Sequence, residues 1–422
     1  MRTPLSSGLA AASLGFLLLG FAARSWQLVL LALPPLVFLG VSASLPPGRP
    51  VLSTVRSLSR DRIQVGGEVE VRLDVVNDGP DLDVVEILDV VPREFAVERG
   101  TNRAVVPLPS GGSVALSYVV RPRVKGDYRL GPVRVRVPDP LSLGMEDSEI
   151  PDPSRVVVAP ALEDLRRARL APRRTRPWFG QVVSRQRGIG TEFWSIRDYL
   201  PGDDVRRINW KAAARLDRLL SNEYEGERSG DVVIVLDARR ESLVGTDEEN
   251  PVEMGVRAAL GIAEHVLGSR NRVGLVVQRE VLDWVYPAFG RRQLYRILDS
   301  LTRVRAGGQW DLVHVAWVLE RFFPPDALVV VISPLVDRTS LDAVIGLVAR
   351  GHDLTVLSPS PLELERAHGI GTREDDVAYA ILRMERENLI AQLRKVAQVA
   401  DWDPQTSLAL SLRRLGPYPR PA

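Results

Sequence analysis

The 422-residue sequence contains no cysteine. That excludes disulfides, thiolate metal sites and a cysteine nucleophile, although it does not fix the compartment. Histidine is scarce: His265, His314, His352 and His368 are widely spaced, with no His-x-x-x-His pair to seat zinc on a helix. The chain also lacks a Gly-x-Ser-x-Gly elbow, a His-Glu-x-x-His motif and a Gly-rich phosphate loop, so the usual sequence marks of a hydrolase or a nucleotide binder are missing. Charge of one sign is missing too. With 55 Lys and Arg against 53 Asp and Glu, the net charge of +2 implies neither a nucleic-acid wrapper nor an acidic tail. The length suits two or three domains with a sizeable core.

What is present begins with two uncharged apolar stretches, Leu5 to Ala23 and Gln27 to Leu45. Each is close to the ~20 residues that span a hydrocarbon core. Only Arg24-Ser-Trp26 separates them, which suits a tight helical hairpin with an interfacial Trp; Pro34-Pro35 would kink the second helix. A cleaved signal peptide is the alternative for the first stretch, and a second apolar span so soon after it argues against cleavage. Residues 1–48 therefore read as two transmembrane helices that tie the chain to a lipid bilayer. Arg2 precedes the hairpin, and Arg49, Arg56, Arg60 and Arg62 follow it, so both ends and the soluble mass are expected in the cytoplasm, as a multi-pass protein of the cell membrane.

Residues 49–160 read as a β-sandwich, an immunoglobulin-like module. Gly67 to Asn77 alternates polar and apolar residues at period two, Asn77-Asp78-Gly79-Pro80 is a turn, and further strand-like runs follow without a helical pattern between them. Residues 161–187 form a basic linker holding Leu165-Arg-Arg-Ala-Arg169 and Arg173-Arg-Thr-Arg176. It reads as solvated. Contact with anionic lipid or nucleic acid is its active alternative, but no interleaved aromatics support the latter and no nucleic-acid partner is expected.

Residues 188–229 hold the densest feature of the chain. Gly190 to Arg215 packs Arg197, Asp198, Tyr199, Asp203, Arg206, Asn209, Trp210, Lys211 and Arg215 around Pro201-Gly202. Asp203 is placed to cap a helix over Val205 to Leu216, with Ile208, Ala212 and Leu216 on one apolar stripe. Arg197 and Arg206 could brace Asp198 or Asp203 in an internal ion-pair network, or the same groups could present a docking face. Both readings stay open from the residues alone.

Glu192-Phe193, Arg197-Asp198-Tyr199, Pro201-Gly202-Asp203, Arg206 and Ile208-Asn209-Trp210-Lys211 resemble the hallmark of domain-of-unknown-function family fifty-eight. Asp139-Pro140-Leu141 and Asp401-Trp402-Asp403-Pro404 resemble two further elements of that family. The resemblance implies that a von Willebrand factor A-like domain follows the hallmark, and that the protein works beside a MoxR-type AAA+ ATPase.

Residues 230–422 carry their own signal. Asp231 to Leu236 is a continuous apolar strand ending at Asp237, and short Val, Ile and Leu runs alternate with helical patterns after it. That predicts a doubly wound, mostly parallel α/β sheet (Rossmann-like), with one hairpin at its second and third strands and C-terminal helices. The fold class is thus multidomain: a transmembrane hairpin, a β-sandwich and an α/β von Willebrand A-like domain. Relatives of that fold carry a metal site of the form Asp-x-Ser-x-Ser, with a Thr and a second Asp from other loops. Here Arg239 and Glu241 stand at the two Ser positions, Gly307-Gly308-Gln309 or Trp310 replaces Thr, and Pro334 stands where the second Asp would lie. A degenerate ion site around Asp237, Glu241 and Ser242 is expected, without a bound cofactor, since Arg239 disfavours a divalent cation such as Mg. The resulting expectation is a non-catalytic, membrane-anchored scaffold or adaptor whose α/β domain and hallmark bind a protein partner, with the AAA+ ATPase as candidate. An envelope-associated hydrolase built from dispersed residues and lipid or nucleic-acid binding by the basic linker are the alternatives.

Overall fold

A computed structural model describes residues 3–45, 49–165, 176–279, 281–308, 313–368 and 373–415. Two compact units form, Met1–Ala159 and Pro160–Ala422.

The first unit opens with two helices long and apolar enough to cross a membrane, Pro4–Ala23 and Trp26–Ser44. The second is interrupted at Ala32, giving α1 (Pro4–Ala23), α2 (Trp26–Leu31) and α3 (Leu33–Ser44). The break follows from Pro34-Pro35, which remove two consecutive N–H donors from the helical ladder. The helices of the hairpin approach closely at Gly20, where an added Cβ would lie 2.7 Å from Val29 Cγ2. Both ends of the hairpin reach one loop of the following module: Thr3 N donates to Leu143 O at 3.1 Å, and Ser42 Oγ donates to Asp139 Oδ2. Arg2 lies outside the described residues. Arg56, expected among the basic flanks of the hairpin, is instead consumed inside the β-rich part, as shown below.

That part contains β1 (Leu52–Leu58), β2 (Arg62–Gln64), β3 (Val69–Asn77), β4 (Leu82–Asp89), β5 (Phe95–Gly100), β6 (Arg103–Leu108), β7 (Ser113–Pro122), β8 (Gly126–Leu130), β9 (Val133–Pro138), β10 (Met145–Ile150) and β11 (Ser154–Ala159). They form two four-stranded antiparallel sheets, β1-β3-β7-β5 and β10-β9-β4-β6, with a three-stranded sheet β2-β11-β8. Alternation in the sequence becomes alternation in burial: Val69, Val71, Leu73 and Val75 face in while Glu70 and Arg72 face water. Leu73, Val75 and Leu116 of one sheet share a cluster with Val85, Ile87 and Val135 of the other.

One buried ion pair crosses this core. Arg56 Nη2 and Nε donate to Asp89 Oδ1 and Oδ2 at 2.6 and 3.1 Å, and neither side chain is exposed. Tyr118 Oη donates to Asp89 Oδ2 at 2.7 Å, and Arg56 also reaches the carbonyl of Asp152. Burial, with Asp89 beside it, pushes the Tyr118 hydroxyl far above its ordinary range.

The second unit starts with a ribbon, β12 (Arg176–Asp198) paired antiparallel with β13 (Leu220–Ser229) through several register shifts. The basic linker expected over 161–187 is therefore corrected in part: residues 166–175 lie outside the described residues, and from Arg176 the chain is in a strand. Its backbone groups pair with β13, which a reading of side-chain charge could not show. Helix α4 (Trp210–Leu216) lies in the connection between the two strands.

The main sheet comprises β14 (Asp231–Asp237), β15 (Arg272–Gln278), β16 (Asp283–Ala288), β17 (Leu328–Ile332), β18 (Asp353–Pro359) and β19 (Gln398–Trp402), in the order β16-β15-β14-β17-β18-β19. All pairs are parallel except the β15–β16 edge. Every residue of β14 is buried, as a central strand covered on both faces requires. Helices α5 (Pro251–Gly268), α6 (Gly290–Thr302), α7 (Val313–Phe322), α8 (Arg338–Ala349), α9 (Pro361–His368), α10 (Arg373–Leu393) and α11 (Leu408–Arg413) complete the unit. Two apolar clusters, one holding Ile234 and Ile262 and the other Val233 and Leu319, lie on opposite faces of the sheet. The order reverses between β14 and β17, so a crevice opens beyond their carboxyl ends.

Replacing Asp89 with Ala leaves the Arg56 guanidinium buried without its carboxylate. Denaturant unfolding of the full chain should show the β-rich unit destabilised by about 3–5 kcal/mol, whereas Tyr118→Phe should cost about 1–2 kcal/mol.

Candidate functional site

The signature segment is a braced loop at the end of the ribbon. Ser195 to Asp198 pair with Glu223 to Leu220, and the chain then leaves the ladder until Leu220. Asp203 N donates to Leu200 O at 3.0 Å, with Pro201 and Gly202 between them and Gly202 at φ +106°. Proline followed by a glycine of positive φ is what a type II turn demands. Arg197 locks this turn to the ribbon: Nη2 donates to Asp203 Oδ1 at 2.6 Å, Nε to Glu223 Oε1 at 3.0 Å, and Nη1 to Asp198 O at 2.8 Å. Ser195 Oγ takes the other Glu223 oxygen at 2.7 Å. The Arg197 hydrogen bond, reinforced by Leu200 N–H, holds the Asp203 carboxyl below its usual range.

Asp203 does not cap a helix, and a single helix over Val205 to Leu216 does not form. The neighbouring Asp204 caps a 3-10 turn, Val205–Arg207, by accepting from Arg206 N. Asn209 then caps α4, its Oδ1 accepting from Ala212 N at 3.0 Å while its Nδ2 donates to Asn222 at 2.8 Å. The reason is competition: Asp203 already serves Arg197 and the Leu200 N–H, at 3.0 Å. Arg206 is exposed, and Asp198 pairs instead with Arg218, at 3.0 Å. Tyr199 is tied through its N–H to Leu219 O at 3.0 Å, and Arg215 sits in the last turn of α4, where positive charge complements the helix dipole. Lys211 is exposed.

Arg197, Asp203 and Glu223 thus bond within the loop and ribbon, while several apolar groups are exposed alongside Arg206 and Lys211. Trp210 is 62% exposed, and Leu200, Val205, Leu216 and Leu219 are exposed beside it in sequence. Ile208, by contrast, is buried and bridges to Ser221.

The second candidate lies at the sheet's switch point. Asp237 ends β14, fully buried, and both of its oxygens are taken by Arg239: Nε reaches Oδ1 at 3.0 Å and Nη2 reaches Oδ2 at 3.1 Å. Ser333, just past β17, donates to Asp237 Oδ2 at 2.7 Å. Arg239 extends further, Nη1 to Asp337 Oδ2 at 3.0 Å and Nη2 to Ser340 Oγ at 2.6 Å. Glu241 is exposed, and the buried Ser242 hydroxyl has no hydrogen-bond partner among the described residues, so neither serves Asp237. Gly308 closes the rim by accepting from Arg240 N, whereas Gln309 and Trp310 lie outside the described residues. Among the described residues no three His, Cys, Asp or Glu groups gather as a metal would require.

With this geometry in view, comparison with known proteins is informative. The family profile described as Protein of unknown function DUF58 matches residues 195–389. The match covers just under half of the chain, and over that segment the chain is similar to this family. It begins within the braced loop and runs into α10. The uncharacterized proteins Rv1480 of Mycobacterium tuberculosis and Mb1516 of Mycobacterium bovis are each 27% identical over 184 residues, covering 42% of this chain. The chain spans 58% of the length of these relatives. Among solved structures, α2-macroglobulin from Escherichia coli aligns with a TM-score of 0.22 and 14% identity, over 27% of this chain and 24% of that one. The CARDB domain of the PF1109 protein from Pyrococcus furiosus aligns at 0.18 and 19% identity, over 26% and 93%.

Sequence reading missed Glu223 and Asn222, the ribbon partners of the signature, and Ser333, Asp337 and Ser340 around Arg239. Only Asp337 carried a local signal, as an acidic residue preceding the helical run of α8, whose Ser340 N–H it caps at 2.9 Å. Burial alone would raise the Asp337 carboxyl. Hydrogen bonds from Ser340, Arg239 and Thr339 outweigh it and hold the group down to about 2, against an ordinary value of 3.8. A carboxyl depressed in the folded state contributes stability above its unfolded pKa and loses it as pH falls through its folded one. Thermal unfolding of the full chain should therefore show an acid limb between about pH 4 and pH 2, and Asp337→Asn should flatten that limb while lowering the transition temperature at neutral pH.

Proposed function

We propose that this chain is a membrane-anchored, non-catalytic scaffold or adaptor that holds a protein partner through its signature loop. The observation that carries this reading is the loop's division of labour. Arg197, Asp203, Glu223 and Asn209 spend their hydrogen bonds inside the loop and ribbon, while Trp210 and its apolar neighbours face outward. Ion pairs that hold a turn rigid lower the ordering cost of binding, and exposed Trp is the residue type most enriched at interface hot spots. The family resemblance makes a MoxR-type AAA+ ATPase the candidate partner.

Other parts of the molecule support this reading. The sheet order, with its antiparallel edge at β16, suits a von Willebrand A-like domain. The paired four-stranded sheets suit an immunoglobulin-like β-sandwich standing at the bilayer. Both hairpin ends bond to the same loop of that module, which favours a two-span anchor with its termini on one side of the membrane. The exposed Arg49, Arg60 and Arg62 favour the cytoplasmic side, a bias kept without Arg56.

Affinity purification of the full-length chain from native membranes, with ATP-state nucleotide preserved, should enrich an AAA+ ATPase. Trp210→Ala should weaken that capture by about tenfold or more, while Arg134→Ala, an exposed position in the β-rich unit, should leave it unchanged. Equal capture by the wild type and Trp210→Ala would refute the loop as the contact. Failure to enrich any AAA+ ATPase would refute the candidate partner.

A further inference from the structure

The switch-point crevice holds an unusual arrangement of oxygens around one positive group. The Arg239 side chain is 3% exposed. Its guanidinium contacts both oxygens of Asp237, one oxygen of Asp337 and the hydroxyl of Ser340. Ser333 Oγ and Thr339 Oγ1 complete the set, at 2.7 Å from Asp237 and 2.8 Å from Asp337. These groups come from three separated stretches, the ends of β14 and β17 and the start of α8. They meet only because the sheet reverses its order there.

Two carboxylates and three hydroxyls, with no nitrogen or sulfur donor among them, form the oxygen-only set that a hard divalent cation takes. Here the charge that meets both carboxylates and the Ser340 hydroxyl is covalently attached to the chain, while Ser333 and Thr339 bond to the carboxylates themselves. A guanidinium stays protonated at any working pH and engages a carboxylate through two parallel hydrogen bonds, as it does at Asp237. Without a cation of some kind, the buried Asp237 carboxylate and the half-buried Asp337 carboxylate would meet at this point with no positive charge between them.

We infer that Arg239 is a built-in substitute for a divalent cation, and that removing its side chain turns this crevice into a Mg²⁺ or Mn²⁺ site. The substitution also constrains how the crevice can be used. With both Asp237 oxygens held by Arg239, this carboxylate has no vacant place for an ion bridging to a partner carboxylate. The inference is independent of the partner-binding loop, which lies in a different part of the fold.

The test uses the full-length chain in detergent, as wild type, Arg239→Ala, Arg239→Lys and the double variant Arg239→Ala/Asp337→Asn. Thermal unfolding is followed with EDTA or with Mn²⁺, and Mn²⁺ binding by electron paramagnetic resonance. Wild type should bind no Mn²⁺ and unfold at the same temperature in both conditions. Arg239→Ala in EDTA should unfold about 10 °C lower. Mn²⁺ should restore at least half of that loss, with one ion bound per chain at a Kd below about 1 mM. Arg239→Lys should lie between wild type and Arg239→Ala in EDTA and gain little from Mn²⁺, and the double variant should bind none. The inference is overturned if Arg239→Ala takes up no Mn²⁺, or if the double variant binds it equally well. It is overturned too if wild type loses stability in EDTA. If Arg239→Ala is recovered folded only with Mn²⁺ present, the inference stands; if it is recovered under neither condition, it falls.

Discussion

The constraint on which the C-terminal unit depends is electrostatic: a carboxylate buried at the end of the central strand must be neutralised without water. Asp237 closes an entirely buried strand, and Arg239 neutralises it two residues later while reaching across to Asp337 at the start of α8. One guanidinium thereby fixes the carboxyl end of β14 and the loop between β17 and α8. A second, Arg386 of α10, holds the same loop from the other side, donating to Pro334 O at 2.8 Å and to Asp401 at 2.7 Å. The edge of the sheet where α/β proteins ordinarily bind ligands is, in this chain, stitched by its own arginines.

The signature loop follows the same logic at the surface. Arg197 joins the Pro201-Gly202 turn to Glu223 on the neighbouring strand, and the turn in turn positions Asp204 and Asn209 to cap two short helical pieces. Arg197, Asp203, Glu223 and Asn209 are satisfied among loop and ribbon groups, and Trp210 and its apolar neighbours stay at the surface. A turn without these bonds would have to be ordered at the moment of binding; this one is ordered beforehand.

Much of the architecture could be read from residue pattern. The alternation of β3 and the unbroken apolar run of β14 follow directly from which faces are buried, and Pro251 after a capping Asn250 marks the start of α5. The pairing of Asp237 with Arg239 was legible because the two lie two residues apart. What could not be read depends on distance in sequence or on competition. Asp337 meets Arg239 across 98 positions. Asp203 and Asp204 are chemically alike, and only the prior claim of Arg197 on Asp203 decides which of them caps. Arg56 reads as a membrane-flanking charge until Asp89, 33 residues on, is found to hold it inside the β-rich core. The long ribbon strand from Arg176 was hidden by its arginines and glycines, whose backbone pairing leaves no mark on composition.

The central claim, that the braced loop is a grip for a protein, is tested most directly by hydrogen–deuterium exchange on the membrane-embedded full-length chain, with and without a purified MoxR-type AAA+ ATPase. Slowed exchange confined to the backbone around Leu200 to Leu219, with the β14 and β17 ends unchanged, is the expected result. Unchanged exchange in that loop while another surface becomes protected would contradict it.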